Sequence, residues 1–169
     1  MKYIIAFSGG KDSTATIILA KKYKLPMDEI VTVMPDPFCH EIDFIKRVED
    51  FAQMEITVLP GPSFEDYFFT EKSERSKHPG TIYGWPFTVY KTCARVMKWD
   101  VMRNYIDNQI DTSFVLGIAA DEHTRLDALI APNRSYLQEL NVSEKEARNL
   151  CVSHNLLNPL YLYSGLRRL

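Results

Sequence analysis

Short apolar runs alternate with longer stretches of helical spacing through the first sixty residues of this chain. Tyr3–Phe7, Ile30–Met34 and Glu55–Leu59 read as strands. Between them, Asp12–Tyr23 places Ala15, Ile18 and Leu19 at i, i+3 and i+4, with Lys21, Lys22 and Lys24 near its end. Leu25-Pro26 stops that helix. A second helix, from His40 or Glu41 to Gln53, turns Ile42, Ile45, Val48 and Phe51 inward. Pro35-Asp36-Pro37 and Pro60-Gly61-Pro62 are sharp breaks. A β-α-β-α-β order at this spacing implies a parallel sheet with right-handed crossovers. The predicted class is α/β: a Rossmann-like open parallel sheet of about five strands flanked by helices.

The rhythm breaks over residues 60–92, an insertion before the fourth strand. It holds eight of the twenty aromatic residues, so it is more than a connecting loop. Phe64, Tyr67, Phe68, Phe69, Tyr83, Trp85, Phe87 and Tyr90 are divided between core for a short helix around Phe64–Thr70 and a functional or mobile loop. Regular structure then resumes with a helix from Cys93 or Ala94 to Asn108 and a strand at Phe114–Ile118. Ser143 with Glu146 three residues later forms a capping box, opening a helix to about Ser153. Asn158-Pro159-Leu160-Tyr161 is extended or turning.

Composition narrows the class without naming a function. A chain of 169 residues predicts one domain with a real core, and a net charge of −2 gives no basis for bulk nucleic-acid or membrane affinity. Ser8 interrupts the first apolar run, so no signal peptide is expected. Cys39, Cys93 and Cys151 are odd in number, far apart and free of any C-x-x-C pair, which predicts a reducing, cytoplasmic setting.

The chemistry concentrates just after the first strand, in Ser8-Gly9-Gly10-Lys11-Asp12-Ser13-Thr14. Two glycines let the backbone turn tightly and present bare amides, and the following helix points its positive end at the same place. Ser8, Ser13 and Thr14 add hydroxyls. The phosphate loop G-x-x-x-x-G-K-[ST] does not fit, because Lys11 is followed by Asp12 and no glycine lies five residues before Gly10. The adjacent glycines also exclude G-x-G-x-x-G. The stretch resembles S-G-G-x-D-S, the signature of the PP-loop ATP pyrophosphatases, whose HUP-type fold the resemblance also implies. In that family the loop grips the β,γ-pyrophosphate of ATP. The plain structural alternative is a strand–helix turn with Asp12 or Ser13 as an N-cap.

Two further segments are similar to the phosphoadenosine-phosphosulfate reductase branch of that group. Lys91-Thr92-Cys93-Ala94-Arg95-Val96-Met97-Lys98 resembles its W-C-[ST]-x-x-x-K segment, with Tyr90-Lys91-Thr92 in place of the aromatic before the cysteine. Arg95 and Lys98, three apart at a helix start, share a face and suit an anion, or are simply a solvated basic face. Gly117-Ile118-Ala119-Ala120-Asp121-Glu122-His123-Thr124-Arg125 resembles G-x-R-x-x-E-S-x-x-R, with Ala119 where relatives carry arginine. Gly117 gives a ligand close approach to the strand, Glu122 suits Mg2+ or a ribose, and Arg125 a phosphate or substrate. The competing reading is an ordinary helix start with a Glu122–Arg125 pair. Met34 and Asp36, at the end of the second strand, are where adenine or ribose is expected. The resemblance extends through Asn158-Pro159-Leu160-Tyr161 to Arg168.

Three readings follow. In the first, ATP and Mg2+ are bound, Lys11 and Asp12 act at the phosphates, and Arg95 and Lys98 hold an acceptor that takes the adenylyl group. The acceptor is sulfate or a nucleic-acid or sulfur-transfer substrate. In the second, a sulfonucleotide is reduced by a thiol, for which Cys93 is the candidate. In the third, the chain is a nucleotide-binding subunit of a sulfur-modification assembly. An iron–sulfur cluster or zinc belongs to the picture only if a cysteine-bearing segment follows Leu169. An adenine nucleotide is the expected ligand. A partner subunit or homo-oligomer is allowed, no membrane is expected, and nucleic acid is left open.

Overall fold

The computed structural model describes residues 1–34, 42–85 and 93–162. The chain forms two compact units, the first comprising Met1–Thr32, Glu41–Thr57 and Ile110–Leu169, the second Val33–His40 and Val58–Gln109.

Four strands, β1 (Lys2–Ala6), β2 (Glu29–Met34), β3 (Ile56–Pro60) and β4 (Thr112–Leu116), lie in the order β3-β2-β1-β4. β1 pairs in parallel with both neighbours, Ile5 opposite Ile30 on one side and Val115 on the other. The expected fifth strand is absent from the described residues. Asn158–Tyr161, expected to be extended or turning, turns: Pro159–Leu162 is a 3-10 helix. With β1 central, the order reverses between β1 and β4, so the loops leaving those two strands face one crevice.

Helix α1 (Lys11–Tyr23) is buried from Ser13 to Ala20 without interruption. A helix apolar or small on every face belongs inside a layer, and α1 packs against α2 (Ile42–Ala52), α6 (Tyr136–Glu139) and α7 (Glu144–Ser153). Of the residues expected on the inward face of α2, Ile45, Val48 and Phe51 meet the core and Ile42 does not. Phe44, Val48 and Ala52 are buried, Ile45 and Phe51 flank them, and Ile42 is 63% exposed. Phe44 stacks on Phe7 at a centroid distance of 6.3 Å, and this contact selects the 44/48/52 row. The capping box is present as expected: Ser143 Oγ accepts from the Glu146 amide, and the Glu146 carboxylate accepts from the Ser143 amide at 2.8 Å.

In the second unit, Ser63 caps α3 (Phe64–Phe69), whose residues are nowhere fully buried. Its aromatics pack on one another and on the strand-like return: Tyr67 with Tyr83 at 5.2 Å, Phe68 with Trp85 at 5.3 Å. Phe87 and Tyr90 lie outside the described residues. The helix expected from Cys93 begins as a π-helical segment, Cys93–Trp99, and becomes α-helical only in α4 (Asp100–Asp107).

Candidate active site

The Ser8–Thr14 loop is built by its own hydroxyls. Gly10 is the N-cap of α1 and no side chain caps the helix, so neither Asp12 nor Ser13 plays that part. Ser13 and Thr14 instead donate to the Gly10 carbonyl at 3.0 and 2.9 Å. Ser13 Oγ also accepts from the Ser8 amide at 3.2 Å. Thr14 is 1% exposed, so its hydroxyl serves the scaffold of the loop. Ser8 is exposed, and its hydroxyl lies 3.1 Å from that of Ser13. Gly9, with φ of +73°, supplies the left-handed residue the turn demands.

Gly117 makes a close approach within the protein itself. A Cβ there would stand 2.6 Å from the Ser13 amide nitrogen and 2.8 Å from Asp12 C and Ser13 Cα. The close approach is made by the start of α1 itself: the backbone after β4 packs directly on the loop after β1.

That packing gathers charge. Asp12, Glu122 and Glu144 bring carboxylate oxygens within 4.8 Å of one another. Lys11 Nζ answers them, 2.7 Å from Asp12 Oδ2 and 3.5 Å from Glu144 Oε1. Burial pulls the Lys11 ammonium down, but the hydrogen bond to Asp12 and the charges of Asp12 and Glu144 outweigh it, and its pKa is raised. Asp12 is raised as well, although a simple ion pair would lower it. Burial is the main cause, with Glu122 and Glu144 adding to it against the opposing pull of Lys11. Three carboxylates outnumber two cations, Lys11 and the Arg125 that pairs with Glu122, and the cluster has spare negative charge. Asp12 Oδ1 is buried with no hydrogen-bond partner. An orphaned carboxylate oxygen in an all-oxygen set fits a hard divalent cation such as Mg2+.

Glu122 is further held by Arg125, whose Nη1 lies 2.9 Å from both of its carboxylate oxygens, and by the Ala119 amide at 3.1 Å. The pair expected at this helix start is therefore present, at the N-terminus of α5 (His123–Leu126). Glu144 went unnoticed in the sequence, because a glutamate in the first turn of a capped helix reads as a partner for the helix dipole. Asn158 and Tyr161 were noted only as part of a tail. Asn158 Nδ2 donates to the Gly9 carbonyl at 2.8 Å, and Tyr161 Oη accepts from the Lys11 amide at 3.3 Å.

Cys151 lies beneath the loop. Its thiol is fully buried and donates to the Lys11 carbonyl, and burial pushes its pKa up to about 12. The remaining expected site residues lie in the second unit or outside the described residues. Met34 belongs to the second unit, where its carbonyl accepts from Gly61. Arg95 and Lys98 are also in that unit, both exposed. They lie on π-helical backbone, whose wider turn separates residues three apart more than an α-helix does. Asp36, Tyr90–Thr92 and Arg168 lie outside the described residues, as does the side chain of Cys93.

Comparison with known proteins accords with this geometry. The family model described as phosphoadenosine phosphosulfate reductase domain matches residues 2–141. Uncharacterized protein MJ0973 of Methanocaldococcus jannaschii is 29% identical over 104 residues, 60% of this chain and 22% of that protein. The U34-tRNA thiolase NcsA from Methanococcus maripaludis, solved with its [4Fe-4S] cluster, matches with a TM-score of 0.53 at 18% identity, over 92% of this chain and 58% of that one. The chain thus spans about a fifth of the curated relative and just over half of the solved structure, and the latter likeness is one of fold. Among the described residues no helix is long and apolar enough to cross a membrane. Loop, sheet order and the match over residues 2–141 agree: the chain belongs to the phosphoadenosine phosphosulfate reductase domain family, within the PP-loop superfamily.

Proposed function

We propose that this chain is an ATP-binding PP-loop enzyme that cleaves the α–β phosphate bond, transfers the adenylyl group to an acceptor and releases pyrophosphate. The observation that carries the reading is the Ser8–Thr14 loop at the strand-order reversal, with the half-buried Lys11–Asp12 pair at its helix start. The helix N-terminus and loop amides favour the β- and γ-phosphates. The Lys11 ammonium, charged throughout the neutral range, neutralises negative charge that grows on the leaving pyrophosphate. Asp12, Glu122 and Glu144 would hold Mg2+, which when bound supplies charge neutralisation at the phosphates. An acceptor oxygen attacks the α-phosphorus, the bond to the bridging oxygen breaks, and its electron pair leaves with pyrophosphate.

In this reading Arg95 and Lys98 are assigned to the acceptor, and Met34 and Asp36 to the adenosine moiety. The acceptor is sulfate or a nucleic-acid or sulfur-transfer substrate; NcsA, a tRNA thiolase of the same fold, supports the second class. Thiol-dependent reduction of a sulfonucleotide is disfavoured for Cys151, since a buried thiol with a raised pKa is a poor nucleophile. For the same reason Cys151 does not suit an iron–sulfur cluster or zinc, and no step is assigned to either.

The test is exchange of labelled pyrophosphate into ATP, without reductant and in the presence of candidate acceptors. Exchange is expected, and Asp12→Ala or Ser13→Ala should lower it about a hundredfold or more. Full activity in both variants would sink the assignment of the loop.

A further inference from the structure

We propose that Tyr161 is a phosphate ligand, donating its phenol O–H to the β- or γ-phosphate of the bound nucleotide. This rests on the nucleotide reading above and adds a residue from the far end of the chain to the cradle. The phenol oxygen accepts from the Lys11 amide at 3.3 Å, and it stands 3.4 Å from where a Cβ on Gly10 would lie. Lys11 is the first residue of α1, so the hydroxyl sits at the positive end of that helix, beside the glycines that an anion would approach. A phenol both accepts and donates. Its accepting side is used by Lys11, and its own proton has no acceptor among the described residues.

Tyr161 is also held in place. Asn158 is 4% exposed and donates to the Gly9 carbonyl at 2.8 Å, while its Oδ1 accepts from the Leu160 amide at 2.8 Å. The Tyr161 amide donates to the Asn158 carbonyl at 3.0 Å. One buried side chain thus ties the 3-10 turn to the loop. The opposite role, in which the hydroxyl merely occupies the Lys11 amide until a phosphate displaces it, requires the Tyr161 side chain to turn out of the place where its anchored backbone presents it. The geometry favours a donor that stays.

Calorimetric titration of the intact chain with inorganic pyrophosphate, ATP and AMP separates the outcomes. Tyr161→Phe should weaken pyrophosphate and ATP about tenfold, as expected for a lost hydrogen bond to a charged group, and leave AMP unchanged. Tighter binding would make Tyr161 a competitor for the Lys11 amide, and equal binding a structural residue; either overturns the proposal. If wild-type protein binds neither pyrophosphate nor ATP, the nucleotide reading falls and this one with it. Wild-type binding with an unaltered variant sinks the role of Tyr161 alone. A second measurement needs no variant: in wild-type protein carrying ring-labelled tyrosine, the Tyr161 resonance should shift with pyrophosphate and not with AMP. A resonance indifferent to both would contradict the assignment.

Discussion

At the residue scale, the loop after β1 was legible because its chemistry is local. Two glycines, a lysine, an aspartate and hydroxyls in consecutive positions restrict what a backbone can do there. Which hydroxyl faces a ligand was not legible: Ser13 and Thr14 spend theirs on the Gly10 carbonyl, a choice made by the turn of the helix. Cys151 offers a prediction at this scale. Its thiol pKa lies above its ordinary value because the group is buried, so the folded chain keeps a proton that the unfolded chain loses first. Between about pH 9 and 12 this group's contribution to stability should therefore fall as pH rises. At pH 8 the thiol should resist an aromatic disulfide reagent in native protein and react at once in denaturant. Equal rates in the two states would contradict the buried geometry.

Gly117 belongs to the scale of elements, where it controls how the end of β4 meets the start of α1. Any Cβ there collides with backbone, which cannot rotate away as a side chain does. Gly117→Ala should destabilise the protein by about 1–3 kcal/mol, read from urea unfolding, and weaken nucleotide binding by displacing Asp12 and Ser13. A variant with wild-type stability and affinity would show that the two elements have room to part. The sequence marked Gly117 as a point of close approach but not the partner, since no local pattern records which element packs against a strand end. The capping box of α7 was legible for the opposite reason: Ser143 and Glu146 complete it within four residues. The face of α2 lies between these cases. Its apolar residues allow two overlapping rows, and Phe7 chose the one through Phe44.

At the scale of the whole molecule, burial is uneven, and local stability should follow it. Every residue of α1 from Ser13 to Ala20 is buried, whereas α3 buries none. Amide exchange should be slowest in α1, close to the global unfolding limit, and fast in α3. Comparable protection in both helices would contradict this distribution of the core. The candidate site depends on the same core. Periodicity and turn residues were enough to place strands, helices, a parallel α/β sheet and the glycine-rich loop after β1, because those features arise from residues a few positions apart. Strand order is different. It is settled by how β1 and β4 pack, and only once they are neighbours do Asp12, Glu122 and Glu144 converge and Tyr161 reach the Lys11 amide across 150 positions of sequence. The loop was written in the chain; the carboxylates, thiol and phenol gathered around it are consequences of tertiary packing, which brings together residues that no local spacing relates.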